Sequence, residues 1–515
     1  MDSLATFIAT PSPTPPEKPA RFDILLHDSQ SVDDLKQLCA ARLPDTPVEV
    51  TPIFDHADTE LSRSVMLTFP DHTFNPDDVH PHDVAHDLHA ALSIVDIAPW
   101  DTGLEAPLAA ALPPGEPDID PDEIASEEDH EWHLKQLRLP EAWNYTKGNG
   151  VLIGQPDTGY ADHHLLTHAI ERRKGCNILG GPDDYPDDPL KPLPFYFGGH
   201  GVSVASTAAS RGFDAHKRVR GAAPAAKVLP VRCVDSVVIN PGSAWDVARA
   251  IVKAVDEGAH VISMSLGGVP GLGGLIMMDR AMAYGLRHSV IFVAAAGNLP
   301  GPVVYPAIND ACTSVGGSIK EETPWVLSPF GIGLDVCAPA SPIWRALREH
   351  GDEQYPERTL RVAPSYGTSY STALVAGMAA LWISYHGRQM LIDRYGHNVN
   401  WAFRSVLRGT ARRPNNWPRH EFGAGIPNAH AMMQARLPTD VSSTSVNVAA
   451  NNRRILLGRF NAVWDSNPRL SDADVDAHAQ ELHLQISYQE YRAAGQVSAD
   501  LAPPPISKVL SRLLG

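Results

Sequence analysis

Three short segments of this 515-residue chain carry side chains that could share one proton. Gln155-Pro156-Asp157-Thr158-Gly159 sets an acid just beyond the apolar run Val151 to Gly154, and in an open α/β sheet functional groups gather where parallel strands end. Gly198-Gly199-His200-Gly201-Val202-Ser203-Val204-Ala205 sets a His at the start of a small-residue helix. Tyr366-Gly367-Thr368-Ser369-Tyr370-Ser371-Thr372-Ala373 sets a Ser between a glycine turn and a helix over Leu374 to Tyr385. Each has a plainer reading: an Asp in a turn caps or solvates it, a lone His is more often structural, and a Ser before a helix is usually an N-cap. Taken together they are a set for nucleophilic acyl transfer. Ser369 would attack a carbonyl, His200 would take and return the proton, and Asp157 would hold the imidazole in one tautomer and offset its charge. That chemistry requires no metal and no cofactor.

Such a set needs a rigid sheet to hold it. From Trp132 onward, short apolar runs (Val151 to Gly154, Val228 to Val231, Val261 to Met264, Val290 to Ala294) alternate with helical stretches. The pattern predicts an α/β fold, a mostly parallel sheet with helices on both faces, over residues 132–437. Upstream, Phe22, Ile24 and Leu26 alternate as in a strand, and Val32, Leu35, Leu38 and Cys39 recur at helical spacing. Strand-like Val48 to Phe54 and Ser64 to Phe69, helical Val84, Leu88, Ala91 and Leu92, and a last strand at Ile94 to Ile97 complete a small α+β, ferredoxin-like βαββαβ domain over residues 21–100. Residues 1–20, with Pro11, Pro13, Pro15, Pro16 and Pro19, are expected to be a disordered arm. Residues 101–131 are rich in Asp, Glu and Pro and read as a solvated acidic linker. Residues 438–515 form a polar C-terminal extension with one helical segment at Ser471 to Ala494 and an apolar helical stripe of Ile506, Val509, Leu510 and Leu513 that would dock on the body or on a partner.

The order Asp, His, Ser is the order of subtilisin. Gly148-Asn149-Gly150-Val151 leads into the acid strand, and Gly221-Ala222-Ala223-Pro224 follows the His helix. Ser263-Met264-Ser265-Leu266-Gly267-Gly268, Ala294-Ala295-Ala296-Gly297-Asn298, Tyr305-Pro306-Ala307 and Asp335-Val336-Cys337-Ala338-Pro339 follow in sequence. On these motifs the chain resembles the subtilase family of serine endopeptidases. The resemblance implies a subtilisin-like fold and a protein or peptide substrate. It implies Asp157, His200 and Ser369 as the triad, and Asn298 as the side-chain donor of the oxyanion hole. It also implies that Ser265, Leu266, Gly267 and Gly268 pair the substrate backbone, that the Tyr305-Pro306 bond is cis, and that Val304 stands at the base of the primary pocket, making it shallow. The βαββαβ unit resembles the family's pro-domain, an intramolecular inhibitor, so the chain is read as an autoinhibited precursor. Departures are Tyr370 for the usual Met, Ala373 for Pro, Val202-Ser203 for Thr-His, and Gln155-Pro156 for an apolar pair. None removes a reacting group.

Bulk composition narrows the partners. A net charge of -18 argues against a protein whose work is gripping nucleic acid. The longest apolar run, Thr372 to Ile383, is shorter than the roughly 20 residues of a membrane span, so no membrane partner is expected. Five scattered cysteines fit reduced thiols, and with no secretory leader evident the expected location is cytoplasmic. His82, His86 and His89 share a helical face that reads as a metal site, a protonation switch or a solvated surface. Asp183, Asp184, Asp187 and Asp188 invite a structural calcium, against the plainer reading of a solvated loop. Two other functions stay open at this point: a peptide ligase or macrocyclase using the same acyl-enzyme, and a catalytically silent binding protein on the same scaffold.

Overall fold

The computed structural model describes residues 2–514, apart from 76–77, 105, 113–128, 181–184, 191–196, 213–218, 270–274, 349–359, 440, 442–447, 465–469 and 499. The expected disordered arm instead begins with a helix, α1 (Asp2–Ala9). Its Leu4 and Phe7 are buried, and the Phe7 ring meets Phe69 edge-on at 5.4 Å. The Asp87 carboxylate accepts the N–H groups of Ser3 and Leu4, first-turn donors that no helical carbonyl can reach.

The unit that follows runs β1 (Ala20–Leu25), α2 (Val32–Arg42), β2 (Glu49–Pro52), α3 (Thr59–Ser62), β3 (Ser64–Phe69), α4 (Pro81–Leu92) and β4 (Asp96–Trp100). Its sheet is antiparallel with strand order β2-β3-β1-β4. Strand alternation gives it two different faces. Phe22, Ile24, Val65, Leu67 and Phe69 pack with residues of α2 and α4. Met66 and Trp100 face the larger unit. Within the expected acidic linker α5 (Ala106–Ala111) forms, and Leu104 and Leu108 are buried against Val269, Leu484, Tyr488 and Tyr491, while residues 113–128 of that linker lie outside the described residues.

The larger unit opens with two short helices, α6 (Trp132–Gln136) and α7 (Leu139–Ala142). It continues through β5 (Leu152–Asp157), β6 (Cys176–Asn177), α8 (His200–Ala209), β7 (Lys227–Arg232), α9 (Pro241–Asp256), β8 (Val261–Met264), α10 (Leu275–Arg287), β9 (Ile291–Ala295), β10 (Cys312–Ile319) and β11 (Val336–Ser341). These seven strands form one parallel sheet in the order β11-β10-β9-β8-β5-β7-β6. An antiparallel hairpin, β12 (Ile343–Arg348) with β13 (Leu360–Ser365), leads to α11 (Thr368–His386). Buried side chains alternate between the two faces of the sheet: on β9, Ile291 and Val293 join the core that contains α8 and α11, while Phe292 and Ala294 join the core that contains α9 and α10. Thr368 to Ile383 are buried without interruption, so α11 is an interior helix. Among the described residues no helix is long and apolar enough to cross a membrane.

Beyond α12 (Arg388–Tyr395), α13 (Val399–Thr410), α14 (Arg419–Phe422) and α15 (Ala429–Gln434), the described residues of the C-terminal extension form four helices: α16 (Val448–Val463), α17 (Asp472–Ala477), α18 (Ala479–Ala493) and α19 (Lys508–Leu514). The sequence pattern predicted a helical segment over Ser471 to Ala494, where α17 and α18 lie, and a helical stripe from Ile506 to Leu513, where α19 lies, and did not predict α16. The fully buried Arg459 of α16 donates to Glu490 and Ser487 of α18, and Leu456 and Phe460 of α16 cluster with Leu482 and Ile486 of α18, which ties the pair together.

The smaller unit is seated on α9 and α10. Asp23 Oδ2 accepts the Met277 N–H in the first turn of α10 at 2.9 Å, Arg287 bonds Asp58 at 2.8 Å, and Trp100 Nε1 donates to the Pro241 carbonyl at 2.7 Å. Burial pushes the Asp23 carboxyl up from its ordinary 3.8 to about 7. The folded chain therefore keeps a proton there that the unfolded chain has already released, and this group's contribution to stability falls as the pH rises between those two values. Asp23→Asn keeps an acceptor for Met277 and cannot ionise. Relative to wild type it should gain stability as the pH rises from about 4 to about 7, read by urea unfolding; a pH-independent difference between the two would contradict this.

Candidate active site

Asp157 ends β5, so its side chain emerges at the carboxyl edge of the parallel sheet. It is wholly buried, and its Oδ1 accepts from the Thr158 N–H at 2.7 Å and from His200 Nδ1 at 2.8 Å. His200 opens α8 between two glycines that nothing larger could replace. A Cβ on Gly199, whose φ is +81°, would meet the Arg348 carbonyl at 1.9 Å, and one on Gly201 would meet the Gly159 carbonyl at 2.0 Å. The start of the helix can approach the acid's turn and β12 only because those side chains are missing.

Polar residues that looked out of place in the sequence fasten this corner. The buried Gln155 donates to the Gly201 carbonyl at 2.8 Å, and Ser203 Oγ donates to the Ala346 carbonyl of β12 at 3.0 Å. Thr158 Oγ1 accepts the Gly201 N–H and donates to Asp188 Oδ2. Asp188 also accepts the N–H groups of Gly199 and Leu190, and burial raises its carboxyl above the ordinary range.

Ser369 is the second residue of α11 and is nearly buried, with its Oγ directed at the Ser265 carbonyl at 3.4 Å. The Ser265 hydroxyl in turn donates to the Ser369 carbonyl at 2.9 Å. Gly367 caps the helix at φ +145°, a backbone state that side chains rarely adopt. The Ser369 N–H lies in the first turn, where no intrahelical acceptor exists and the helix end is electropositive.

Asn298 follows β9, and its Oδ1 accepts both the Thr368 N–H at 2.8 Å and the Thr368 hydroxyl at 2.9 Å. A backbone N–H can only donate, so the Asn298 amide is oriented with its carbonyl toward Thr368. Thr368 also bonds the Gly297 carbonyl and accepts the Gly297 N–H. Sequence reasoning missed Thr368; its place directly before Ser369 was the available signal. The cis bond at Tyr305-Pro306 is present. Val304 puts its methyls between two glycines of facing segments, 2.5 Å from where a Gly267 Cβ would be and 2.9 Å from where a Gly297 Cβ would be.

Other expected groups do not converge. Among the described residues no group of three or more His, Cys, Asp or Glu could hold a metal ion. His86 and His89 are exposed, whereas His82 is half-buried and stacks on His80. Of the acidic loop, Asp187 is paired with Arg172 and Asp188 serves Thr158, while Asp183 and Asp184 lie outside the described residues.

A profile of the subtilase family matches residues 148–425, just over half of the chain. The chain belongs to the subtilase family. Thermitase from Thermoactinomyces vulgaris is 33% identical over 253 residues, which cover 48% of this chain and 81% of thermitase. Subtilisin Savinase from Lederbergia lenta is 28% identical over 305 residues, covering 58% of this chain and 97% of that relative. The crystal structure of fervidolysin from Fervidobacterium pennivorans, a keratinolytic enzyme related to subtilisin, superposes with a TM-score of 0.59 over 85% of this chain and 65% of its own, at 19% identity, and so shares the fold. This subtilase is a subtilisin-like serine endopeptidase, built around a parallel sheet as the sequence pattern predicted.

One departure from its family has a visible consequence. Tyr370, standing where a Met is usual, is buried, and its hydroxyl accepts from Nε of the buried Arg345 at 3.1 Å. Tyr370→Phe deletes that acceptor and should destabilise the fold by about 1–3 kcal/mol in urea unfolding.

Proposed function

We propose that this subtilase hydrolyses peptide bonds through an acyl-enzyme on Ser369. The observation that carries the reading is the buried 2.8 Å bond between His200 Nδ1 and Asp157 Oδ1, which directs the other ring nitrogen, Nε2, to proton transfer. Ser369 Oγ attacks the scissile carbonyl carbon as His200 takes its proton. The tetrahedral intermediate collapses, the C–N bond breaks, and His200 returns the proton to the departing amine. Water, activated by His200, then cleaves the ester and restores the Ser369 hydroxyl. The negative oxygen of each intermediate is held by the Asn298 NH2 and the Ser369 N–H. No metal or cofactor is required for these steps.

A fluorophosphonate probe should label Ser369 and should fail on Ser369→Ala; mass mapping of the labelled peptide identifies the site, and labelling elsewhere alone would sink the assignment. Asn298→Ala should lower kcat by about 10²- to 10³-fold, the loss that subtilisin, a relative, shows when its oxyanion-hole asparagine is removed.

Substrates, in this proposal, carry a small or medium apolar side chain at the cleaved position, because the Val304 methyls fill the space between Gly267 and Gly297. Val304→Gly should raise the kcat/KM ratio of a Phe over an Ala peptide by about tenfold or more, measured with matched peptide anilides; an unchanged ratio would show that Val304 does not set the pocket's depth.

We further propose that the unit at 21–100 acts as an intramolecular inhibitor in a precursor. Its seat on α9 and α10 through Asp23, Asp58 and Trp100 supports this. Five free cysteines, four of them buried, support work in a reducing compartment such as the cytoplasm.

A further inference from the structure

Gly267 is the residue of the proposed substrate edge whose backbone is accessible to pairing from a surface loop, and that pairing is already made. Its N–H donates to the Val237 carbonyl at 3.0 Å, and its carbonyl accepts the Ile239 N–H at 3.0 Å, a parallel bridge centred on Val238. Gly268 beside it is bonded in both directions to Tyr305. The two cases differ in kind. Tyr305 is buried and its hydroxyl is fixed to Asp279, so the Gly268 pairing belongs to the body of the unit. Val237 to Ile239 lie in the loop between β7 and α9; Val238 is 53% exposed, and the backbone bonds, the partly buried Val237 and the buried Ile239 hold this loop in place.

An extended peptide pairs with a strand edge by exchanging backbone N–H and C=O bonds, and an edge whose groups are occupied cannot accept it. The loop ends at Asn240, which caps α9, and the next residue, Pro241, gives its carbonyl to Trp100 of the smaller unit. That Nε1–H···O bond is 2.7 Å long and buried, and the Trp100 ring stands edge-on to Trp245 of α9 at 5.8 Å.

We infer that Val237 to Ile239 form a strap that occupies the substrate-pairing edge of Gly267, and that the smaller unit holds the strap shut through Trp100. The inference rests on the reading that substrate pairs along Ser265 to Gly267. A peptide strand must insert between Gly267 and Val238, moving the strap outward by about one strand spacing, ~4.8 Å. The small unit then inhibits by locking a loop of the larger unit, independently of where residues 113–128 run.

The test uses the full chain with Ser369→Ala, which cannot turn substrate over, and a fluorescein-labelled Ala-Ala-Val-Ala amide whose binding is read by anisotropy. Trp100→Phe keeps a ring and loses the N–H to Pro241. Ile239→Pro loses the N–H to Gly267. Each should tighten Kd by about tenfold or more, a gain of the size expected when a competing closed state is removed. Equal Kd values in all three chains would overturn the strap, and tightening by Ile239→Pro alone would overturn the part given to Trp100. If Ile239→Pro does not fold, amide exchange of Gly267 and Ile239 replaces it: exchange should be faster in Trp100→Phe than in its parent, and equal rates would overturn the proposal. Fluorophosphonate labelling of Ser369 in the otherwise wild-type chain needs no pairing along Gly267. Failure there removes the peptidase reading and leaves the peptide-binding result to decide the strap.

Discussion

The bond between His200 and Asp157 joins two atoms that are 43 residues apart in sequence and shut away from water. An unsolvated carboxylate is costly unless donors surround it, and Asp157 has the Thr158 N–H and the imidazole. To bring the imidazole within 2.8 Å, α8 must begin against the turn after β5, which the absence of a Cβ at Gly199 and Gly201 allows. Thr158 and Asp188 then fasten the loop on one side, and Gln155 on the other. The same contact fixes which edge of the sheet is chemical. Because the strands are parallel, the segments after β5, β8 and β9 all leave on one side, carrying Asp157, Ser265 and Asn298 to the rim where α11 starts.

The burial of α11 follows from this arrangement. A serine held in the first turn of a helix is only as well placed as the helix, and sixteen consecutive buried residues, Thr368 to Ile383, fix this one on every side. Thr368 links that rigidity to the oxyanion segment, since one residue bonds Asn298 through both its N–H and its hydroxyl. A shift of α11 would therefore carry Ser369 and Asn298 together.

Much of this was legible in the sequence because strands buried on both faces, the parallel β8 and the antiparallel β3 alike, are short apolar runs, and both have the spans that pattern predicts. The motifs around Asp157, His200, Ser369 and Asn298 were visible for a different reason: chemistry restricts residue type more tightly than packing does. What the sequence hid has physical causes too. The β12–β13 hairpin contains Trp344 and Arg345, both buried, so neither face alternates between apolar and polar. The helix α16 carries Asn451 and Asn452, which bond Asp310, and the buried Arg459 beside its apolar Leu456 and Phe460, so polar side chains interrupt the apolar stripe of its inward face. Asp188 looked like one of a cluster of surface acids until its three donors were seen.

The C-terminal extension turns two units into one body. Asp83 of α4 accepts the Lys508 and Val509 N–H groups of α19, Gln480 donates to the Pro99 carbonyl next to Trp100, and Asn452 accepts the Asp310 N–H of the larger unit. Tyr491 lies within 2.9 Å of where a Cβ on Gly301 would be, a short step along the chain from Asn298. These contacts make release of the smaller unit a problem with two parts. Cutting the chain between residues 113 and 128 would remove a covalent tie and leave the hydrogen bonds to α19 and α18 in place. The entropy gained by opening one loop grows only slowly with its length, so a cut alone gives little drive for separation. The extension is thus the element whose movement decides whether the seat on α9 and α10, and the Trp100 contact within it, can open.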